Sequence, residues 1–291
     1  MIKFKHLFYT VAIAAVLYSC GSENNNSFVD NFDHEAQAIK DQDSLVKFLK
    51  NNYYDVDLDS VKVIDDNQIS LFDDSKLVTK KLTEYDVDYT LYYYVNRVGE
   101  PDIDKGFPSV TDSVYVKYRG QIILDNDSLS NDFDNNTTWL SLSQVIRGWT
   151  YSFTDFKGGN NVTVDGEKIK FDKGGKGILF IPSGLGYRNG GVQGIVPNSN
   201  LMFTFELWDF VEGTDDDQDG ISSINEDVDG DGDPRNDDTD GNGRANYLDA
   251  DDDGDGKLTK DEDANGDGDP RNDFSDPKKP TIPDYLNRDI R

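Results

Sequence analysis

QVIRGWTYSF, residues 144–153, places Val145, Ile146 and Trp149 on one helical face, and Phe153 and Phe156 continue it. Arg147 and Gly148 interrupt this run, and a glycine inside a helix costs about 1 kcal/mol relative to alanine. A glycine kept beside a tryptophan at that cost implies either close packing of the helix on a sheet or a tryptophan that floors a pocket. The segments around this helix read as strands. SVYVKYRG (113–120) alternates Val114, Val116 and Tyr118 with polar partners, the pattern of a half-buried strand. WLSL (139–142), GILFIP (177–182) and the long alternating LMFTFELWDF (201–210) are further strands, with a Gly- and Asn-rich loop at 183–200 between the last two. Strands predominating around one short helix give the α+β class with an antiparallel sheet.

Upstream, Asp41 to Tyr53 reads as a helix that Asp43 can cap, with Leu45, Val46, Phe48 and Leu49 as its apolar stripe. SVKVI (60–64), ISLF (69–72) and YTLYYYV (89–95) are strand candidates, and Gly99 to Pro108 reads as a connector. No catalytic motif is present in 30–105. That segment could extend the sheet, pair two chains or hold clients. The two histidines, His6 and His34, lie outside the strand-rich region, which argues against Ser-His-Asp, Cys-His or His-based metal chemistry.

The first twenty residues carry Lys3, Lys5 and His6, an apolar run from Leu7 to Tyr18, and then Ser19-Cys20. A basic start, a short apolar core and a small residue before the processing point describe a secretory signal. The run is too short to span a bilayer. Leu17-Tyr18-Ser19-Cys20 resembles the lipobox of bacterial lipoproteins, and the resemblance implies a lipid on Cys20 and anchoring at the cell envelope, with the outer membrane expected. The alternative is an ordinary signal with an incidental cysteine. Gly21 to Ser27 reads as a flexible tether.

The formal net charge is −28, which opposes nucleic acid and anionic lipid as partners and favours cations. About −17 of it falls after Thr214, and that tail repeats itself. DDDQDGISSINEDVDGDGDPRND begins at 215 and DDDGDGKLTKDEDANGDGDPRND at 251. Each copy opens with D-x-D-x-D-G-x5-E: Asp215, Asp217, Asp219 and Glu226, then Asp251, Asp253, Asp255 and Glu262. Oxygens at positions 1, 3, 5 and 12 wrap a hard cation, and the glycine at 6 makes the sharp turn. Partial loops follow at Asp227, Asp229 and Asp231, at Asp238, Asp240 and Asn242, and at Asp263, Asn265 and Asp267, all without Glu at the twelfth place. Pro-containing DGDPRND weakens any flanking helix, so the array resembles thrombospondin type 3 repeats more than paired EF-hands. The resemblance implies structural Ca2+.

VKYRG, then FD, VIRGW, IPSGLGY and GIVPNSNLMFTFEL, in this order, resemble the FKBP-type peptidyl-prolyl isomerases over roughly 110–211. The resemblance implies a curved antiparallel sheet wrapped on a short helix. It also implies catalysis without a cofactor and Pro-containing polypeptides as clients. The implied pocket comprises Tyr118, Phe133, Asp134, Val145, Ile146, Trp149, Tyr187, Val196 and Phe203. Of these, the Ile146 N–H and the Tyr187 hydroxyl would hold substrate carbonyls and Trp149 would be the floor. Leu129-Ser130 competes with Phe133-Asp134 for the same alignment. Arg188 stands where the family usually has Gly, and 156–175 is longer than the usual link, with VDG (164–166) as the tip of an extra hairpin. Both departures leave open a non-catalytic peptide-binding or adhesive lipoprotein. The expected organisation is a signal peptide (1–19), a tether (20–33), an N-terminal α+β region (34–107), an isomerase-like domain (108–212) and acidic calcium-binding repeats (213–291).

Overall fold

Helix α1 (His34–Asn51) leads into the hairpin β1 (Asn52–Asp55) and β2 (Ser60–Val63). A second hairpin, β3 (Leu77–Glu84) and β4 (Val87–Arg97), is followed by β5 (Ser113–Ile122), β6 (Asp134–Ser141) and helix α2 (Arg147–Phe153). The short pair β7 (Asn160–Asn161) and β8 (Phe171–Asp172) precedes β9 (Gly175–Ile181) and β10 (Leu201–Val211). These elements come from a computed structural model that describes residues 30–291. The expected signal peptide, Cys20 and most of the tether lie outside the described residues. No described helix is long and apolar enough to cross a membrane.

Six strands form one antiparallel sheet in the order β3-β4-β9-β10-β5-β6. The N-terminal region therefore extends the sheet of the later domain, through pairing of β4 with β9. Both faces are covered, which explains the unbroken apolar runs in β4 and β9. Successive side chains on a strand point to opposite faces. Leu179 and Ile181 pack with Phe203, Phe205, Trp149 and Phe153 on the α2 face. Ile178 and Phe180 pack with Tyr92, Tyr94, Met202 and the α1 residues Leu45, Phe48 and Leu49 on the other.

Helix α1 begins two turns before the expected Asp41, because Asp33 caps it by accepting the Ala36 N–H at 2.9 Å. Asp41 is instead buried, taking the Ser183 N–H at 2.8 Å and the Ser183 hydroxyl at 2.6 Å, which ties α1 to the end of β9. ISLF forms turns rather than a strand: the Ser70 carbonyl accepts the Asp73 and Asp74 N–H groups while Leu71 fills the α1 side of the core. Helix α2 starts at Arg147, with Val145 ahead of it and Ile146 as an extended N-cap residue. The extra hairpin is present as β7 and β8, and Phe171 stacks on Trp208 at 5.4 Å.

Candidate functional site

The close approach that the opening glycine implies is real. A Cβ on Gly148 would lie 2.5 Å from Ile181 Cγ2, so only glycine lets α2 descend onto β9 here. Gly120 of VKYRG does the same on β5, where a Cβ would lie 2.5 Å from the Phe203 ring and 2.6 Å from the Phe133 ring. These two approaches let aromatic rings close into a box. Trp149 meets Tyr118 at 4.9 Å and Phe203 at 5.2 Å, both edge to face, and stacks on Phe153 at 4.9 Å. Such pairs add about 0.5–1.5 kcal/mol each beyond the area they bury.

The box opens into a cavity of about 240 Å³. Seven of the nine expected residues line it: Tyr118, Asp134, Val145, Ile146, Trp149, Tyr187 and Phe203. Phe133 stands behind the wall, edge-on to Phe203 at 5.5 Å. Val196 does not take part. It is 67% exposed, and its neighbour Ile195 turns into the core instead. Leu140 and Gln144 complete the lining. Sequence reading missed both, although Leu140 is the inward residue of the expected WLSL strand. Asp134, not Ser130, reaches the pocket, because the Ser130 hydroxyl is engaged with the Ile122 N–H at 2.8 Å.

The polar groups fall into two kinds. The Tyr118 hydroxyl donates to Asp134 Oδ2 at 2.7 Å. Burial, then that hydrogen bond, holds the Tyr118 phenol well above its ordinary range, so it stays protonated. Among the described residues, the Ile146 N–H and the Tyr187 hydroxyl meet no acceptor. Burial and then the Asp134 charge push the Tyr187 phenol up, so it too remains a donor. The cavity offers apolar walls and free donors, the buried Trp149 indole N–H among them.

Arg188 adopts φ 54°, the left-handed conformation that explains the family's glycine. Its guanidinium sits 4.5 Å over the Tyr85 ring at the β3–β4 turn, which anchors the loop that carries Tyr187. None of residues 156–175 lines the cavity.

Residues 104–208 match the family model described as FKBP-type peptidyl-prolyl cis-trans isomerase. This segment is an FKBP-type domain. The FKBP-type isomerase FkpA of Escherichia coli K12 is 34% identical over 120 residues, which is 41% of this chain and 37% of that protein. FkpA of Buchnera aphidicola from Acyrthosiphon pisum is 34% identical over 129 residues, 42% of this chain and 43% of its own length. The match thus spans less than half of the length of these curated relatives. The crystal structure of Escherichia coli FkpA is 31% identical with a TM-score of 0.33, over 45% of this chain and 52% of that one. Beyond the FKBP-type domain, residues 216–285 match the model described as BamM C-terminal.

The acidic tail folds as five similar loops. In each, the first Asp accepts the N–H of the sixth-place glycine: Asp215 from Gly220, Asp227 from Gly232, Asp238 from Gly243, Asp251 from Gly256 and Asp263 from Gly268. These glycines have φ between 89 and 99°. Ligand oxygens of Asp215, Asp217 and Asp219 lie within 4.8 Å of one another, as do those of Asp251, Asp253 and Asp255. Asp219 and Glu226 form a further group with Asp252, and Asp227 and Asp229 one with Asp237. Glu226 and Glu262 bury both carboxylate oxygens without a hydrogen-bond donor. Burial and then the neighbouring carboxylates raise Glu226 to about 10 and Glu262 to about 8. A bound cation is the ordinary remedy for such buried like charge.

Among the expected ligands, Asp231 is turned away to hold the Asn236 amide, and Asp237 at the eleventh place joins Asp227 and Asp229. Asp238, Asp240 and Asn242, and likewise Asp263, Asn265 and Asp267, each offer two carboxylates and one amide. Asp249 occupies the twelfth place after Asp238 and accepts the Asn242 amide at 2.7 Å. Asp237 could have been found by widening the pattern to its eleventh position. Asp252 could not, since it reaches the first loop only through the stacking of two copies.

Proposed function

We propose that this chain is a peptidyl-prolyl cis-trans isomerase that assists folding at the bacterial cell envelope, anchored by a lipid on Cys20 and carrying a calcium-stiffened C-terminal array. The observation that carries the isomerase reading is the aromatic cavity with unengaged donors at Ile146 and Tyr187. Rotation about an X–Pro bond faces a barrier of about 18–20 kcal/mol from amide resonance, and no bond breaks. The twisted transition state has lost that resonance and is less dipolar. Walls of Trp149, Tyr118 and Phe203 disfavour the planar amide relative to the twisted one. The Ile146 N–H and the Tyr187 hydroxyl fix the flanking carbonyls. No cofactor is needed.

The buried, donor-free carboxylates of Glu226 and Glu262 support calcium as the cation, since an all-oxygen set suits a hard ion. In this reading Asp215, Asp217, Asp219, Glu226 and Asp252 hold one region of the array, and Asp251, Asp253, Asp255 and Glu262 another. The membrane attachment rests on the lipobox-like stretch ending in Cys20.

A protein whose refolding waits on a native cis-proline tests the isomerase reading. Its slow phase takes tens of seconds. Catalytic amounts of this chain should shorten it, and the Trp149→Ala variant should not. An unchanged slow phase with intact binding of Pro-containing peptides would replace the enzyme by a peptide-holding lipoprotein. The mass of the N-terminal peptide after expression in a bacterial envelope tests the lipid on Cys20.

A further inference from the structure

The seven-residue stretch DGDPRND occurs twice, with Arg235 in the first copy and Arg271 in the second. Each arginine pairs with the aspartate two residues before it, Asp233 or Asp269. There the likeness ends. The Arg271 side chain is 40% exposed, and among the described residues its donors reach only Asp269. The Arg235 side chain is 7% exposed and crosses from the array into the FKBP-type domain. Its Nη2 donates to the Tyr151 hydroxyl at 2.8 Å and to Glu84 Oε2 at 3.4 Å, and its guanidinium lies 5.5 Å from the Tyr151 ring centre.

Tyr151 and Glu84 both hold helix α2. The Tyr151 hydroxyl donates to Glu84 Oε2 at 2.5 Å, and Arg147 Nε donates to Glu84 Oε1 at 3.1 Å. The helix is short and has no side-chain N-cap of its own. Its position therefore depends on such outside contacts. Tyr151 is two residues from the pocket floor Trp149, and Arg147 follows Ile146, whose N–H meets no acceptor among the described residues.

The other end of Arg235 lies in the cation loop. Asp227, Asp229 and Asp237 bring ligand oxygens within 4.8 Å of one another, and Asp237 Oδ2 is buried without a partner. Asp237 Oδ1 also accepts the Asp229 N–H at 3.1 Å, which closes the loop around Arg235. Without a cation the three carboxylates repel, and the chain between Asp229 and Asp237 joins two of them. That segment contains Asp233 and Arg235.

We propose that Arg235 is a positioning residue for the isomerase pocket: cation binding by Asp227, Asp229 and Asp237 seats its guanidinium on Tyr151 and Glu84, which couples occupancy of the array to the placement of α2. The coupling rests on the isomerase and calcium readings given above. By linkage it is reciprocal, so a peptide in the pocket tightens calcium binding by the factor by which calcium tightens the pocket.

The test uses the full chain carrying Trp139→Phe and Trp208→Phe, so that emission reports Trp149 alone. Calcium is titrated while isomerisation of a Leu-Pro tetrapeptide, Trp149 emission and tail circular dichroism are followed. Calcium should raise kcat/KM by about fivefold or more and shift the Trp149 emission. In Arg235→Gln, rate and emission should stay at their calcium-free values while the tail still orders with calcium. Arg235→Lys should restore part of the response, Asp237→Asn should behave like Arg235→Gln, and Arg271→Gln should respond like the parent. A parent chain whose tail ignores calcium overturns the proposal together with the calcium reading. A parent chain without turnover removes the isomerase reading, and Trp149 emission then decides the coupling. An Arg235→Gln variant whose emission follows calcium as the parent's does overturns the coupling alone.

Discussion

The aromatic pocket and the acidic array lie in one chain and face opposite physical problems. In the pocket, the rings of Tyr118, Trp149 and Phe203 support one another edge to face, and the one carboxylate, Asp134, already holds the Tyr118 hydroxyl. In the array, Glu226 and Glu262 bury both oxygens with no donor. The pocket is organised before a ligand arrives. The array, in the calcium reading, is organised by its ligand, and its binding energy is folding energy. A short helix and a few glycines suffice for the first, whereas the second, in that reading, needs a cation.

The contrast breaks most visibly when calcium is removed. Chelation should cost the amides of 215–291 their hydrogen-exchange protection and leave those of β9 and β10 protected. Equal protection with and without calcium would mean that the array is also preorganised. Gly148→Ala comes next in size. Its methyl group would press on Ile181, and overpacking of this kind costs about 1–3 kcal/mol, read as a lower urea midpoint. An unchanged midpoint would show that α2 can stand off the sheet without penalty. Tyr187→Phe acts on function alone. Its hydroxyl has no partner among the described residues, so stability should hold while the isomerisation rate falls about 2–10-fold, the worth of one neutral hydrogen bond. A full wild-type rate would remove Tyr187 from the mechanism.

The smallest effect concerns Asp41, which lies outside both regions. Burial raises its pKa above the ordinary carboxylate value, so the folded state holds its proton more tightly than the unfolded one. The stability it contributes is therefore full at low pH and is lost as pH rises through the folded value. Relative to Asp41→Asn, the wild type should gain stability as pH falls from 7 toward 4, measured by urea unfolding. A flat difference would mean that burial leaves Asp41 unperturbed.

The two regions also differ in how much of them could be read from sequence. The pocket was legible because local patterns place its parts: alternation sets Tyr118 and Phe203 on the inner face, and Gly148 marks the close approach. Val196 stands outside the cavity lining because the Gly-rich loop turns Ile195 inward, and no periodicity governs a loop. Strand β3 went unseen because it is a sheet edge, where Lys80 reaches over to the Tyr151 carbonyl at 2.8 Å and hides the apolar alternation. In the array the repeat spacing was plain, but Asp252 and Arg235 act across copies and domains. Their partners are set by tertiary stacking, which a repeat written along the chain does not encode.

The most direct test is exchange spectroscopy on an X–Pro peptide mixed with a small fraction of this chain. Uncatalysed cis–trans exchange takes tens of seconds. The wild type should bring it into the sub-second range, and the Trp149→Ala/Tyr187→Phe double variant, folded by circular dichroism, should return it to the uncatalysed rate. Exchange equally fast with both proteins, or slow with both, would contradict the assignment of isomerisation to the aromatic pocket.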